Sequence, residues 1–343
     1  MKKRPVLRLD YAAFKYKPSP KVIKAIKKEL KNANEYPDES YDEIKKALSQ
    51  TFKLRRDHFI IGNGADELID TITRAFVKEG EEIIIPTPTF SQFEEAAKRI
   101  SAKRISVNCA KEKVYEIKSD EILAHVTKKT KLIWICSPNN PTGNIIPEGT
   151  IEEIISKSKI PVVVDECLSE MKNSNLIRFV KDYSNFMLLK TFSKGYCLAG
   201  LRVGFLMAQP VNINKIEKIK QIFNVNRLAV KAAIAALQDQ AYYRRIWRKL
   251  RKEKIKQIRR LRSLKVSVVG KESNFLLLDF KNEKISKRVY EGLLRRGIRI
   301  FPGWDKEFSN LDGRYCRVVI GTPKQNRRFS KELKKVLRGL KWI

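Results

Sequence analysis

The feature that most constrains the fold is an alternation, between about residues 58 and 208, of short apolar runs with longer amphipathic stretches. The runs are rich in β-branched and aliphatic residues and cover 59–62, 82–86, 104–107, 132–137, 162–165, 186–190 and 203–208. Helix-like segments such as 66–78 and 149–157 separate most of them. Strand–helix alternation at this spacing predicts one α/β domain with a largely parallel sheet, covered by helices on both faces. Runs that are apolar at every position, such as 132–136, are typical of strands buried on both faces.

The pattern changes after Asn212. A helical pattern runs from roughly 215 to 261, and strand-like segments follow near 265–269, 274–280, 298–301 and 317–321, with helices near 284–296 and 328–340. This mixture predicts a smaller α+β domain. We predict an N-terminal arm over 1–30 that belongs to the small domain, a large domain over 31–235 and a small domain over 236–343. Because the last boundary falls inside the predicted long helix, we expect a rigid connection between the two domains.

Composition excludes several classes of protein. With 43% hydrophobic residues among 343, the chain has enough apolar material for a core, which excludes general disorder. Five cysteines without a CxxC spacing argue against a disulfide scaffold and favour a reducing compartment. The two histidines, His58 and His125, form no cluster with cysteines, so we expect no metal site and no Ser-His-Asp hydrolase. No apolar run reaches the length of a membrane span, and the basic N-terminus lacks the apolar stretch of a signal peptide, so we expect a cytoplasmic protein with no membrane partner.

The charge is strongly positive. Lys plus Arg number 72 and Asp plus Glu number 38, which gives +34. The densest run, 244–262, holds 11 Lys and Arg against one acid, and its apolar residues recur at helical spacing. A charged surface helix is the simpler interpretation. A nucleic-acid or other polyanion partner is the weaker one and stays open.

Four short segments each follow a predicted strand: GNGADE (62–67), SPNNPTG (137–143), VVVDE (162–166) and TFSKGYCLAGLRVG (191–204). The carboxyl ends of parallel strands are where open α/β sheets bind ligands. Each segment alone is also typical of an ordinary turn or surface loop. Their occurrence in one order, each after a strand, indicates a binding site.

The chemistry of the first and last segments suits a phosphate. The turn around Gly64 opens a helix, whose N-terminus offers free backbone N–H groups and the positive end of the helix dipole. Thr191 and Ser193 add hydroxyl donors, and Arg202 adds a charge-assisted donor for the same anion.

The remaining residues suit the ring and aldehyde of pyridoxal 5'-phosphate. Lys194 can form an imine with the aldehyde and later act as a general base. Asp165 can keep the pyridine nitrogen protonated, which makes the ring an electron sink. Asn140 can hydrogen-bond the ring hydroxyl, and Phe90 offers an apolar face for stacking.

On these motifs, together with RVVIGT (317–322), the chain resembles the fold-type I pyridoxal-phosphate aminotransferases, and within them the histidinol-phosphate aminotransferase group. The resemblance extends from Leu9 to about Leu337. It implies a large domain with a mainly parallel seven-stranded sheet and a smaller α+β domain. It also implies that Lys194 would carry the internal aldimine, and that the Ala65 and Asp66 amides would bind the cofactor phosphate.

The resemblance further implies a substrate side and a partner. Arg317 would bind the substrate carboxylate or its equivalent, and Arg328 matches a second substrate-side arginine. Tyr36 would reach the cofactor phosphate of a neighbouring subunit, which implies a homodimer with shared active sites. The expected reaction transfers an amino group from an amino acid or an amino phosphate similar to histidinol phosphate to a 2-oxo acid.

The chain departs from the family at several places, of which Cys197, in place of the usual small residue, is a mild one. Two departures concern the ring oxygen and the substrate pocket. Leu168 stands where the family has a tyrosine whose hydroxyl meets the ring oxygen, and Tyr11-Ala12-Ala13-Phe14 replaces an Asn-Glu-Asn-Pro segment that shapes the substrate pocket. Other segments, such as 90–94 and 311–315, look like the threonine-phosphate decarboxylases of cobalamin synthesis, which share the fold and cofactor. Two alternatives therefore stay open: such a decarboxylase, and a basic nucleic-acid-binding protein on the same fold.

Overall fold

A computed structural model of the chain describes residues 5–111, 114–169 and 174–343. Its strands, in chain order, are β1 (Leu7–Arg8), β2 (Phe59–Gly62), β3 (Glu82–Thr87), β4 (Thr89–Phe90), β5 (Lys103–Asn108), β6 (Ala110–Lys111), β7 (Val114–Tyr115), β8 (Thr130–Cys136), β9 (Val162–Asp165), β10 (Phe186–Thr191), β11 (Gly204–Ala208), β12 (Ser267–Val269), β13 (Phe275–Asp279), β14 (Ile298–Arg299), β15 (Phe301–Pro302), β16 (Phe308–Ser309) and β17 (Tyr315–Val319).

The helices, in the same order, are α1 (Pro20–Glu29), α2 (Asp42–Phe52), α3 (Gly64–Phe76), α4 (Gln92–Arg99), α5 (Ser119–Leu123), α6 (Glu148–Ser158), α7 (Ile177–Asp182), α8 (Pro210–Glu217), α9 (Arg227–Leu237), α10 (Gln240–Ser263), α11 (Glu283–Arg295) and α12 (Pro323–Gly339). Within the described ranges, no helix combines the length and the apolar character that crossing a bilayer requires.

The central sheet has seven strands in the order β2-β11-β10-β9-β8-β3-β5. Strand β11 is antiparallel to both neighbours, and the other neighbouring pairs are parallel. Strands β2, β3, β9 and β11 are buried along their whole length. Helices cover both faces of the sheet. One core cluster contains residues of α2, α6, α7 and α9, and a separate cluster contains residues of α3, α4 and α8. The predicted α/β class and mainly parallel seven-stranded sheet are confirmed.

The C-terminal part holds a four-stranded sheet in the order β12-β13-β17-β15. Its neighbouring strands are antiparallel. Its core contains residues from α10, α11 and α12, together with Leu7, Leu9 and Phe14 from the N-terminal arm. The next helix, α1, places Val22 in a core cluster of the large sheet instead. The arm therefore contributes to both cores. The domain limits proposed from the sequence stay a prediction.

The single long helix expected over 215–261 is wrong. The segment contains the end of α8, then α9 and α10, as three separate helices. The first interruption holds Phe223 at a positive φ of 55° and Asn226, whose side chain accepts the Ala229 N–H at 2.8 Å and so caps the start of α9. The second is the pair Gln238 and Asp239, and Asp239 departs from helical geometry at φ −115° and ψ 41°. Ile219, Ile222 and Phe223 keep a helical spacing through the first break, and the second is only two residues long, so the pattern alone does not reveal either break.

Candidate active site

A cavity of about 380 Å³ opens where β8, β9 and β10 end. Nine of the residues predicted to hold the cofactor line it: Ala65, Asp66, Phe90, Asn140, Asp165, Thr191, Ser193, Lys194 and Arg202. The structure therefore brings together four segments that lie up to about 140 residues apart in the chain. The volume is that of a small-molecule site.

One end of the cavity combines an arginine, a serine hydroxyl and a helix N-terminus, a set of donors that could hold an anion. The Arg202 guanidinium donates to Asp66 Oδ2 at 2.8 Å and to Ser193 Oγ at 3.4 Å. Gly64 begins α3 with a φ of +83°, and a Cβ on it would come within 2.6 Å of Arg202 Nη2. Only glycine fits this turn without strain and leaves room for the guanidinium beside the helix N-terminus. Thr191 Oγ1 accepts the Ser193 N–H at 3.1 Å, which fixes the Ser193 loop at the same end.

The opposite wall carries a buried acid at the end of β9. Asp165 is 5% exposed, and its Oδ1 accepts the Cys167 N–H at 2.8 Å. Burial raises the pKa of the Asp165 carboxyl above its ordinary value of 3.8. In the described part of the chain, no cation forms an ion pair with it. A ligand with a cationic N–H group would stabilise the ionised form of a buried carboxyl group that has no ion-pair partner.

Lys194 lies in the turn after β10 and lines the same cavity. Burial, and then the positive charge of Arg317, lower the pKa of its ammonium group. A lysine with a lowered pKa spends more of its time as the neutral amine, which is the form that attacks a carbonyl or accepts a proton. The position and chemistry of Lys194 thus suit both uses.

Phe90 and Asn140 flank these groups. The ring of Phe90 meets Phe93 edge-on at 6.0 Å, and Phe93 in turn stacks on Trp134 at 4.8 Å. This aromatic row fixes the orientation of the Phe90 ring against the cavity. Asn140 is buried, and its Oδ1 accepts a hydrogen bond from Arg317 Nη1.

Arg317 lies one layer behind the cavity wall. It is fully buried on β17, with its guanidinium 4.8 Å from the ring centres of Phe301 and Phe308. Besides the bond to Asn140, its Nη2 donates to the Asp10 carbonyl at 2.9 Å and its Nη1 to Glu307 Oε1 at 3.2 Å. Burial lowers the pKa of the Arg317 guanidinium, and Glu307 opposes that shift.

The two departures from the family are neighbours in space. Leu168 and Ala12 are both buried and form one small cluster with Phe275 and Val319. Tyr11, Ala12, Ala13 and Leu168 all line the cavity. Leu168 and Ala12 thus form an aliphatic part of the wall, beside Tyr11, at the positions where the resemblance implies a tyrosine hydroxyl and a polar segment.

Gly64 and Arg317 contact residues of the cavity wall without lining the cavity, and two further predicted residues, Tyr36 and Arg328, lie outside its lining. Tyr36 is 76% exposed and stacks on Phe223 with ring centres 4.8 Å apart. Arg328 donates to the Gly297 carbonyl at 3.1 Å and weakly to that of Arg296, beyond the end of α11. The structure does not bring Arg328 to the cavity. Its contacts suit an arginine that donates to carbonyls just beyond a helix C-terminus, although the Gly297 carbonyl also accepts the Leu7 N–H at 2.8 Å.

The sequence reasoning missed Glu307, which lines the cavity and contacts Arg317. It lies just before β16, which pairs with β4 more than 200 residues away in the chain. One acid in an irregular loop carries no pattern of its own. Only the three-dimensional pairing of β16 with β4 places it.

Comparison with known proteins gives a consistent result. The family model described as aminotransferase class I and II matches residues 4–333. Histidinol-phosphate aminotransferases from Methanococcus aeolicus and Methanocaldococcus jannaschii are 36% and 35% identical to the chain. The matches cover 93% and 98% of this chain, and 86% and 91% of those proteins.

Solved structures agree on the fold. A histidinol-phosphate aminotransferase from Sinorhizobium meliloti in complex with pyridoxal-5'-phosphate superposes with a TM-score of 0.90 at 23% identity, covering 98% of this chain and 92% of that one. An aspartate aminotransferase from Thermus thermophilus gives 0.84 at 19%, covering 97% of both chains. The fold-type I prediction is confirmed, and the names of these relatives favour an aminotransferase over the decarboxylase and nucleic-acid-binding alternatives. Because the family model spans nearly the whole length, the chain belongs to the class I and II aminotransferase family.

Proposed function

We propose that this aminotransferase uses pyridoxal 5'-phosphate to transfer an amino group from histidinol phosphate, or a close amino phosphate, to a 2-oxo acid. The observation that carries the proposal is the convergence of Lys194, Asp165 and Arg202 on one cavity. The choice of amino donor rests on relatives named histidinol-phosphate aminotransferase, which match nearly the whole chain at 35–36% identity.

The residues present fit the cofactor. Arg202, Ser193 and the first N–H groups of α3 form a donor cradle for its phosphate, which a side chain at Gly64 would fill. Asp165 is a buried acid without an ion-pair partner in the described chain and suits a cationic ring nitrogen. When bound, pyridoxal phosphate supplies an aldehyde that condenses with amines and a ring that withdraws electrons.

The chain itself supplies proton handling and orientation. Lys194 Nζ, whose lowered pKa favours the neutral amine, takes up the proton released at the amino carbon of the substrate and returns it later in the cycle. Asp165 would hold the ring nitrogen of the bound cofactor in its protonated form by compensating the positive charge. With the cofactor bound, Phe90 would offer its face to the ring, and the apolar side chains of Leu168 and Ala12 would help to exclude water from the cavity.

Arg317 is proposed to hold the carboxylate of the 2-oxo acid. Its guanidinium is oriented by Asn140 and by the Asp10 carbonyl, so one further anion would complete its donor set. Arg328, placed on this side by the family resemblance, contacts backbone carbonyls instead. We therefore assign the acid site to Arg317 alone.

The working assembly is proposed to be a homodimer. Tyr36 is highly exposed although it is aromatic, and Ile23 and Leu30 on or beside α1 are exposed as well. Several exposed aliphatic and aromatic side chains within residues 23–36 favour coverage of this segment by another chain. In that arrangement Tyr36 would reach the cofactor phosphate of the neighbouring subunit.

The proposed location is the cytoplasm. The free cysteines, four of them buried, suit a reducing compartment of that kind.

Turnover with defined substrates tests the proposal. The purified chain, loaded with pyridoxal phosphate, is given histidinol phosphate and 2-oxoglutarate, and glutamate formation is followed by mass spectrometry. We expect steady glutamate formation with histidinol phosphate and much less with aspartate or phenylalanine. Release of carbon dioxide from threonine phosphate without glutamate formation would instead identify the decarboxylase. No turnover with any of these donors would contradict the proposal.

A further inference from the structure

Two side chains that line the cavity contact the arginine proposed to bind acids, and Glu307 is the acidic one of the two, beside Asn140. Glu307 lines the cavity, whereas Arg317 is fully buried behind it and does not. Glu307 Oε1 lies 3.2 Å from Arg317 Nη1. Among the described residues, this is the one ion pair that Arg317 makes. A negatively charged ligand entering from the cavity therefore meets Glu307 before it meets Arg317.

The backbone around Glu307 is held in place. Strand β16 pairs with β4 through Phe308 opposite Phe90, and the Ser91 N–H donates to the Glu307 carbonyl at 3.0 Å. Ser309 Oγ donates to Glu94 at 2.7 Å, which anchors the same strand from the other side. The main chain is thus fixed by the large domain, while the Glu307 side chain keeps 22% exposure toward the cavity. A change of side-chain rotamer is enough to remove the carboxylate from Arg317.

The Arg317 guanidinium, in contrast, is fixed. Asn140 and the Asp10 carbonyl hold its two terminal nitrogens, and three aromatic rings surround it. Its Nε has no hydrogen-bond partner within the described chain. A buried charge of this kind requires a counter-ion, and Glu307 supplies one when no acid is bound.

We propose that Glu307 is a displaceable counter-ion which occupies the anion site of Arg317 until the carboxylate of a 2-oxo acid replaces it. The inference rests on the proposed role of Arg317. Glu307 then sets specificity, because every acidic substrate must compete with a carboxylate already in place. Glu307 also balances the positive charge of Arg317 after the bound 2-oxo acid or its product has dissociated.

Binding of a non-reacting dicarboxylate tests this without turnover. Maleate is titrated by calorimetry into the cofactor-loaded wild type, Glu307→Gln and Asp305→Asn. Glutamine keeps the size of the side chain but removes the competing charge, so we expect maleate to bind about tenfold more tightly, the gain expected when a binding-competent state of about 10% becomes the dominant one.

Asp305→Asn is the matched control. Asp305 is an exposed acid in the same loop that attracts Arg317 through space without contacting it. Asparagine keeps the oxygen that accepts the Glu307 N–H. We expect its maleate affinity to stay within about twofold of wild type, because an exposed charge at a distance is screened.

A fixed structural counter-ion would give a different result. In that case Glu307→Gln would bind maleate no more tightly than wild type, which would overturn the proposal. Melting curves cover the case of a weakened variant. Without maleate, we expect Glu307→Gln to melt at a lower temperature than wild type. On addition of maleate, its melting temperature should rise by more than that of wild type, and an equal or smaller rise would contradict displacement.

Arg317→Lys separates this inference from the proposed function. If Arg317→Lys binds maleate as tightly as wild type, maleate does not reach Arg317 and the displacement proposal fails. The turnover assay with histidinol phosphate and 2-oxoglutarate is independent of these titrations. Its failure would remove the proposed substrate without deciding whether Glu307 yields to an acid.

Discussion

The two ends of the cavity are built in different ways. At the proposed cofactor end, Asp165 is the last residue of β9, and Lys194 and Gly64 lie in the turns after β10 and β2 of the same sheet. At the end proposed to bind the 2-oxo acid, Arg317 is contacted by three residues from distant segments. Asp10 comes from the N-terminal arm, Asn140 from the loop after β8, and Glu307 from a loop of the C-terminal part. The first end depends on a rigid sheet edge, and the second on how distant segments meet. We therefore expect substitutions at the first to abolish chemistry and substitutions at the second to change which substrate is accepted.

The largest effect is expected at Lys194. Lys194→Ala removes the amine that holds the cofactor aldehyde and moves the substrate proton, so turnover should fall by at least about 10³-fold. The visible absorption band of the loaded protein should disappear as well. Lys194→Arg is the control, since it keeps a positive charge but cannot condense with an aldehyde. Either variant retaining wild-type turnover would contradict the assigned role.

Asp165→Asn should lower turnover by roughly 10²–10³-fold, because the ring nitrogen loses its counter-charge. Its effect on the cofactor-free protein should have the opposite sign. The pKa of Asp165 is raised by burial, so the folded chain holds that proton more tightly than the unfolded chain. The contribution of Asp165 to stability is full below its ordinary value of 3.8, and is lost as pH rises through the folded pKa. Asparagine has no carboxyl group to ionise, so the Asp165→Asn variant does not lose stability in this way as pH rises.

Thermal melting of cofactor-free protein between pH 4 and pH 7 checks the second part. We expect Asp165→Asn to gain on wild type as pH rises, by about 1–3 kcal/mol in the free energy of unfolding. A variant that is less stable than wild type at pH 7 would show that Asp165 stabilises the empty site.

Arg317→Lys tests the acid end. Lysine keeps the charge but cannot hold the Asn140 and Asp10 oxygens and a carboxylate at once, so kcat/KM for the 2-oxo acid should fall about 100-fold. The cofactor absorption band should be kept, because the residues proposed to hold the cofactor are unchanged and lysine retains the positive charge near Lys194. Loss of that band would show that the two ends are not independent.

A smaller effect is expected for Arg202→Lys. The variant loses the forked geometry that spans Asp66 and Ser193, and we expect cofactor affinity to fall about tenfold. With saturating pyridoxal phosphate, kcat should return close to wild type. Equilibrium dialysis of the cofactor measures the affinity directly.

Arg328→Ala should have the smallest effect. Its guanidinium bonds to the carbonyls of Gly297 and Arg296, so we expect about 0.5–1 kcal/mol lower stability and no change in the KM of either substrate. A several-fold rise in KM would return Arg328 to the substrate side.

The difference between the two ends of the site also explains which features could be predicted from the sequence. The strands and the cofactor end follow from local patterns, because an apolar run and the polar turn after it lie within a few residues of each other, as in VVVDE. Arg317 was predicted from a family motif, but its partners Asp10 and Glu307 were not. They reach it only because the arm enters the second core and β16 pairs with β4. Such contacts depend on tertiary packing, which leaves no periodicity in the chain.

The most direct test of the account is a half-reaction of the wild type with histidinol phosphate alone. Protein loaded with pyridoxal phosphate is mixed with the donor, without a 2-oxo acid, and its visible absorption is recorded. The account predicts that the visible band is lost within one turnover, and that 2-oxoglutarate restores it in the wild type but far more slowly in Arg317→Lys. A band that stays unchanged with histidinol phosphate, but responds to threonine phosphate with release of carbon dioxide, would contradict it.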